Sequence, residues 1–451
     1  MSTQKVIPGP SGFRTLQTLL NYTRDPLQTF DDLRTKYGDI FQIKFWKHQI
    51  IHLTHPDNIQ LVLQNSHYEV TTALSSSDPV VGKGLSTNTG ESWLRQRRMI
   101  QPAFHHEKIS QYLENIAGET EKMLTRWEAY ASQQTIFDLS KELLALNHAQ
   151  LYHVLFGDEV SPKNQEVLEA LRLVRMYSGR KNTTLISTPQ TWNTPTNRQF
   201  WNAVKLLDQF MYGLIEQRKK IVGEGNDLLT FLIHACERNT GQRMADQQLH
   251  DEMMTMFFAA YEDAANALCW AFYQLSRNPP VQERLDKEVD EVLAQDTLDF
   301  KTLQKLTYGA QIIDETLRLY PPTWSLLRDV RQDEQIHGYH IPKGAILLIN
   351  IFLLHRHPHY WKEPERFDPE RFSAEKAALT RKAHYIPFGS GSRKCIGYSL
   401  ALTQMRANLA LISKKYRITP QVLEDVKMET DSSLRMKGGF PVMISLRNSS
   451  C

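Results

Sequence analysis

The sequence predicts a mainly α-helical fold with a small β part, and three observations carry that reading. Arg243 to Asn278 contains neither Gly nor Pro and keeps its apolar residues at helical spacing. A second helical pattern, with Leu402, Met405, Leu409 and Ile412 three to four apart, follows a glycine-rich loop near the C-terminus. Against these, residues 39–54 read as two strands about a polar turn, and residues 335–352 as further strands turning at Pro342-Lys343-Gly344.

At 451 residues the chain exceeds the usual single-domain length and can bury a large core together with a sizeable cofactor. Its 53 basic and 50 acidic residues leave a net charge of +3, too balanced for nucleic acid to be the main partner. The cysteines at 236, 269, 395 and 451 show neither CxxC pairing nor zinc-type spacing, which fits a reduced, cytoplasmic setting. The segment from Met1 to Pro10 has no apolar run of the ~20 residues a membrane span needs, and it is unlike a signal peptide. No membrane anchor is expected.

The most informative stretch is Phe388-Gly-Ser-Gly-Ser-Arg-Lys-Cys395-Ile-Gly397. Its glycines permit a tight, positive-φ loop that lets backbone approach a flat ligand. A cysteine at a helix start has its thiolate stabilised by the helix N-terminus, and Arg393 can reach an anionic group on the ligand's edge. The stretch resembles the haem-binding loop of the cytochrome P450 monooxygenases, Phe-x-x-Gly-x-x-x-Cys-x-Gly, at every specified position. The resemblance implies a triangular haem fold of one domain over residues 1–451, haem b (iron protoporphyrin IX) as cofactor, and Cys395 as thiolate ligand of the iron. Phe388, Arg393 and Gly397 are then cofactor contacts.

The remaining elements follow in chain order. His55-Pro56 opens a short helix, and residues 68–90, rich in Ser, Thr and Gly, form a loop that the resemblance places beside the substrate pocket. Trp93 and Arg97 share a helix face, and in the family such a pair holds a haem propionate. Arg95 and Arg98 face other ways. Residues 105–175 alternate helical patterns with polar breaks, and residues 178–198 are irregular before helical character resumes. In the family this region is a mobile roof over the pocket.

A helix of about 30 residues from Arg243 would span about 45 Å, a length only a large domain buries. The resemblance makes it the central helix crossing the haem's open face, with Ala259 against the haem. Thr255, Ala259 and Asp263 fall at i, i+4 and i+8 on one face. Ala259-Ala260-Tyr261-Glu262-Asp263 departs from the family's Ala/Gly-Gly-x-Asp/Glu-Thr in two places: Ala260 replaces Gly, and Asp263 stands where Thr is usual. The family's acid–alcohol pair delivers protons for O–O cleavage. Here Glu262 and Asp263 are the candidate catalytic pair, since a carboxyl near haem can be partly neutral.

Glu315 and Arg318 share a face of the helix Leu306 to Leu319, which stops at Pro321-Pro322. In the family such a pair is joined by the Arg of a Pro-Glu-Arg-Phe segment, here Arg371; Pro364-Glu365-Arg366-Phe367 offers Arg366 as a second candidate, and the spacing to Cys395 favours Arg371. The trio is structural. By resemblance Arg328 contacts a propionate, Trp324, Leu326 and Leu327 line the substrate pocket with Thr255 and Phe258, and a hairpin tip at Lys437-Gly-Gly-Phe440 carries Phe440 into it.

The function implied is a haem-thiolate monooxygenase acting on an apolar small molecule with O2, and with electrons from a separate ferredoxin or flavodoxin and its reductase. The basic Arg393, Lys394 and Arg406 suit an acidic redox partner. Asp263 also admits oxidative coupling of phenols or indoles, for which Phe257, Phe258, Tyr261, Trp324 and Phe440 could pack an aromatic ligand, or peroxide-driven oxidation. The peroxide route is disfavoured by the lack of an Arg-Pro pair on the central helix. A haem protein that only binds or senses a gas is the reading from another class.

Overall fold

The computed structural model describes all residues except 1–4, 46–47, 72–77, 158–161, 184–188, 222–224, 238–239, 295–297, 381–383, 422–423 and 448–451. The polar turn after residue 45 lies outside the described residues, as do parts of the 68–90 loop and of the 178–198 stretch. The architecture is helical with a small β part. A five-stranded sheet runs in the order Ile40–Phe45, His48–Leu53, Ile346–Asn350, Ser325–Val330, Tyr68–Val70. His48–Leu53 and Ile346–Asn350 pair in parallel, the other neighbours antiparallel. Ile346–Asn350 is buried at every position, as its run of branched residues requires of a strand covered on both faces. The predicted turn forms at Pro342: Ala345 N–H donates to Pro342 O at 3.1 Å, with Gly344 at φ 84°.

Two helical cores meet near residue 395. One gathers the helices His106–Ser132, Leu139–Phe156, Asp263–Arg277, Thr307–Leu319 and Tyr398–Lys415, with Trp127 and Trp270 fully buried. The other lies under the roof helices Pro162–Thr183 and Pro195–Lys220 and includes the helix Asp246–Ala259.

The central helix is not the single unbroken rod that the residues lacking Gly and Pro suggest. Arg243 lies in a β-bridge with Cys236, the helix begins at Asp246 and stops at Ala259, and a second helix runs Asp263–Arg277. Glu262, at φ −139°, stands between them. The cause is non-local, because side chains inserted from neighbouring helices take over the carbonyls of the break.

A second correction concerns the hairpin. Met428–Thr430 and Leu434–Met436 pair, and their tip at residues 431–433 reaches the break. The Lys437-Gly-Gly segment does turn, with Gly438 and Gly439 at positive φ, but Phe440 goes into the core. It is 0 % exposed, packs edge-on to Tyr273 at 5.8 Å, and donates its N–H to Asp138.

Candidate active site around Cys395

The cysteine loop is shaped by its glycines. Gly389 and Gly391 both sit at φ 69°, and a Cβ on Gly391 would stand 2.2 Å from Leu63 O. No other residue fits there. Cys395 N–H donates to Phe388 O at 2.9 Å, and half-buried Phe388 lies 6.3 Å from the Tyr398 ring. Gly397 caps the helix Tyr398–Lys415 and turns its N–H toward the Cys395 thiol. Burial still pushes that thiol above its ordinary value, against the pull of Gly397, Arg97 and Lys394. Cys395 is nonetheless open to a water-sized sphere, as are Ala259 and Ala260 on the break. Groups that are accessible yet strongly desolvated line an internal chamber.

Three guanidinium groups stand about this loop. Arg328 is only 6 % exposed, its sole acceptor among the described residues is Leu327 O at 2.8 Å, and burial pushes it down to about 10. Arg97 donates to Lys394 O at 3.1 Å. Arg393 donates to Asn88 O at 2.9 Å and lies 3.8 Å over the ring of buried Trp93. Burial, with Arg328 and Arg97 adding their repulsion, lowers Arg393 to about 10. Among the described residues none of the three forms an ion pair with a carboxylate. Three mutually repelling, desolvated cations beside an accessible cysteine fit a planar dianionic ligand bound through sulfur, as a haem with two propionates would be.

Across the chamber the break brings together groups from four segments. Arg175 on the roof helix was not singled out from the sequence. Its signal was a lone Arg on the face carrying Leu171, Val174 and Ser178. It is buried, bonds Glu262 Oε1 through Nη2 at 2.8 Å and Nε at 3.2 Å, and donates Nη1 to Phe258 O. Phe258, half-buried, lies under it at 5.0 Å. Ser432 Oγ, on the hairpin tip, donates to Glu262 at 2.5 Å. Burial alone would raise the Glu262 carboxyl, but Arg175 and Ser432 outweigh it and hold Glu262 below its ordinary value.

Asp263 behaves oppositely. Burial pushes it up to about 6, with Arg175 opposing and Glu262 adding to the rise. Among the described residues its Oδ1 has no hydrogen-bond partner, and Arg175 Nη2 is 3.6 Å away. Its side chain remains 36 % exposed, whereas that of Glu262 is 9 % exposed. The expected carboxylate pair is therefore divided: Glu262 is locked in an ion pair and Asp263 can carry a proton.

Other expected positions are redistributed. The break falls between Thr255 and Asp263, so the two no longer lie on one continuous helix. Its Oγ1 abuts Gly84, where a Cβ would stand 2.0 Å away. Leu326 lies against Gly389, whereas Trp324 and Leu327 pack on the cluster containing Phe30 and Phe41. With Phe440, Phe257 and Tyr261 buried in the cores, the aromatic lining considered from the sequence is dispersed.

The structure does bring Glu315, Arg318 and Arg371 together. Arg318 bonds Glu315 at 2.7 and 2.8 Å, and Arg371 Nε reaches Glu315 Oε1 at 3.3 Å. Arg318 also donates to the carbonyls of His355, Pro364 and Arg366. Arg366 instead pairs with Glu363 on the surface. A separate cleft of about 960 Å³, between Thr23–Arg34 and the strand Met428–Thr430, contains none of the Cys395 constellation.

The family model described as Cytochrome P450 matches residues 7–442. Cyclooctatin synthase of Streptomyces melanosporofaciens is 33% identical over 91% of this chain and 89% of that protein. Cyclooctat-9-en-7-ol 5-monooxygenase of the same organism is 31% identical over 88% and 86% respectively. A crystal structure of the cytochrome P450DA heme domain superposes with a TM-score of 0.90 at 24% identity, covering 99% of both chains, which speaks to the fold. Among the described residues no helix is long and apolar enough to cross a membrane.

Proposed function

The chain belongs to the cytochrome P450 family and is an oxidoreductase of the monooxygenase type, and on that premise we propose that it hydroxylates an apolar cyclic alcohol of the kind that cyclooctat-9-en-7-ol exemplifies. One oxygen atom of O2 enters a C–H bond; the other leaves as water, using two electrons and two protons. The electrons come from a separate ferredoxin or flavodoxin and its reductase, docking against basic residues that include Lys394. Haem b would be held through Cys395 Sγ, with Trp93, Arg97, Arg328 and Arg393 receiving its propionates, and would supply the redox chemistry.

The residues of this chain supply position and protons. Glu315, Arg318 and Arg371 fix the segment leading to the cysteine loop. Asp263, protonated below about pH 6 and accessible from the chamber, hands a proton to the site. Arg175 keeps Glu262 ionised, so that of this pair only Asp263 is raised toward the working range. Small Ala259 leaves room beside Asp263.

One observation carries the reading: an accessible but desolvated cysteine, ringed by three guanidinium groups that among the described residues have no carboxylate partner, opposite a desolvated carboxyl raised to about 6. The test is a carbon monoxide spectrum of the reduced holoprotein, followed by turnover of cyclooctat-9-en-7-ol under electron supply. A thiolate-type spectrum with hydroxylated product supports the proposal. A thiol- or histidine-type spectrum overturns the ligation, and binding of carbon monoxide without product from cyclic alcohols overturns the activity.

A further inference from the structure

The break in the central helix is held by a chain of side-chain amides that ends on the helix following Cys395. Asn147, inside Leu139–Phe156, donates Nδ2 to Ala260 O at 3.0 Å and to Tyr261 O at 2.7 Å. In an unbroken helix those carbonyls would accept from the N–H groups of Ala264 and Ala265, and neither bond is made. Asn147 Oδ1 accepts in turn from Gln404 Nε2 at 3.0 Å. Gln404 also donates to Gln150 Oε1 at 2.7 Å. Gln150 and Asn408 exchange hydrogen bonds in both directions, at 2.9 and 3.1 Å, and Thr120 Oγ1 closes the cluster onto Asn408 at 2.8 Å.

Gln404 and Asn408 lie one turn apart on the helix Tyr398–Lys415, which begins just after Cys395. Only a primary amide meets the demand at 147, with two donors for two carbonyls and one acceptor for Gln404. An Asp lacks the donors. A Leu would leave two carbonyls and a Gln donor unpaired in the interior, which the protein relieves by restoring the helical bonds.

We propose that Asn147 is a positioning residue that holds the central helix open at residues 260–262, and that Gln404 ties this opening to the cysteine helix. The two faces of the chamber are thereby kept in register, and Asp263 is presented at the start of its half-helix rather than in mid-helix. The proposal rests on the reading of Asp263 as proton carrier.

The experiment uses the haem-loaded full chain in three forms: parent, Asn147→Leu, and Gln404→Glu, which sets acceptor against acceptor at Asn147 Oδ1. Amide hydrogen exchange is followed at Ala264 and Ala265, alongside hydrogen peroxide released per electron supplied. In Asn147→Leu the two amides recover helical partners and exchange at least about fivefold more slowly. Peroxide per electron rises severalfold, while haem content and the carbon monoxide spectrum stay as in the parent. Gln404→Glu gives a smaller change of the same sign and decides the matter if Asn147→Leu does not fold. Unchanged or faster exchange at both amides overturns the proposal. Slower exchange with unchanged peroxide release upholds the positioning role and overturns the proton role of Asp263 instead.

Discussion

The two walls of the chamber are built on opposite plans. The cysteine wall is a short loop whose shape follows from its own glycines, and its cations rest on backbone carbonyls. The opposite wall has no such local cause. Its break is imposed by Asn147 and Arg175 from two other helices and by Ser432 from a hairpin tip. A wall that only grips a ligand can be written into consecutive residues. A wall that shifts two adjacent carboxyls in opposite directions, Glu262 down and Asp263 up, needs partners from several directions, since the two are neighbours on one backbone.

The largest effect should come from the frame that both walls lean on. Arg318→Leu strips the fully buried Glu315 of its two-bonded partner and leaves it, among the described residues, only Arg371 at 3.3 Å and the Asp368 N–H at 2.8 Å. A loss of about 3–5 kcal/mol is expected, with failure to retain haem, measured by denaturant unfolding and haem content. Wild-type haem retention would show that the cysteine wall stands without this frame.

Phe440→Ala follows. Because Phe440 is core rather than pocket, the substitution should cost about 3–4 kcal/mol in unfolding while the substrate's dissociation constant stays within about twofold. A large loss of affinity with unchanged stability would return Phe440 to the chamber.

Asp263→Asn sharpens the comparison on the open side. With Asp263 raised to about 6, its proton is present at lower pH and lost as pH rises through that value. Product per electron in the parent should therefore fall above about pH 6, and Asp263→Asn should lower it about tenfold at pH 6 and flatten the profile. An unchanged profile removes Asp263 from proton delivery.

The smallest effect concerns the roof. His250 is bonded to Asp208 at 3.1 Å and Asp251 at 3.0 Å and stacked on Tyr212 at 4.4 Å. Burial opposes its charge, but the two aspartates raise it to about 9. The stabilisation is complete below about pH 6.5 and is lost as pH rises through 9. Half-exposed Asp208 is screened, so roughly 1 kcal/mol should disappear over that range, and His250→Gln should abolish the slope.

What the sequence made legible follows the same division. Phe388 to Gly397 could be read because glycines at fixed spacing declare a conformation. Arg371 could be preferred over Arg366 through its distance from Cys395. The break could not be read, because a stretch without Gly or Pro looks helical however many foreign side chains enter its ladder. Lys437-Gly-Gly-Phe440 announced a turn correctly but not which way its aromatic residue would point, since that depends on Asp138 and Tyr273. The hairpin tip that reaches the site carries only an Asp and two serines, which composition treats as solvent-facing.

The cysteine wall, though local in shape, is knitted by contacts that are far apart along the chain. Arg97 reaches Lys394 across 297 positions, and Arg393 reaches Asn88 across 305. Loops of that size close late, after the helical cores have condensed. The cationic cradle is therefore among the last features to assemble. A nascent chain that has not yet released the residues around Cys395 has no place to hold its cofactor, so haem capture comes at the end of folding and locks a structure already largely formed.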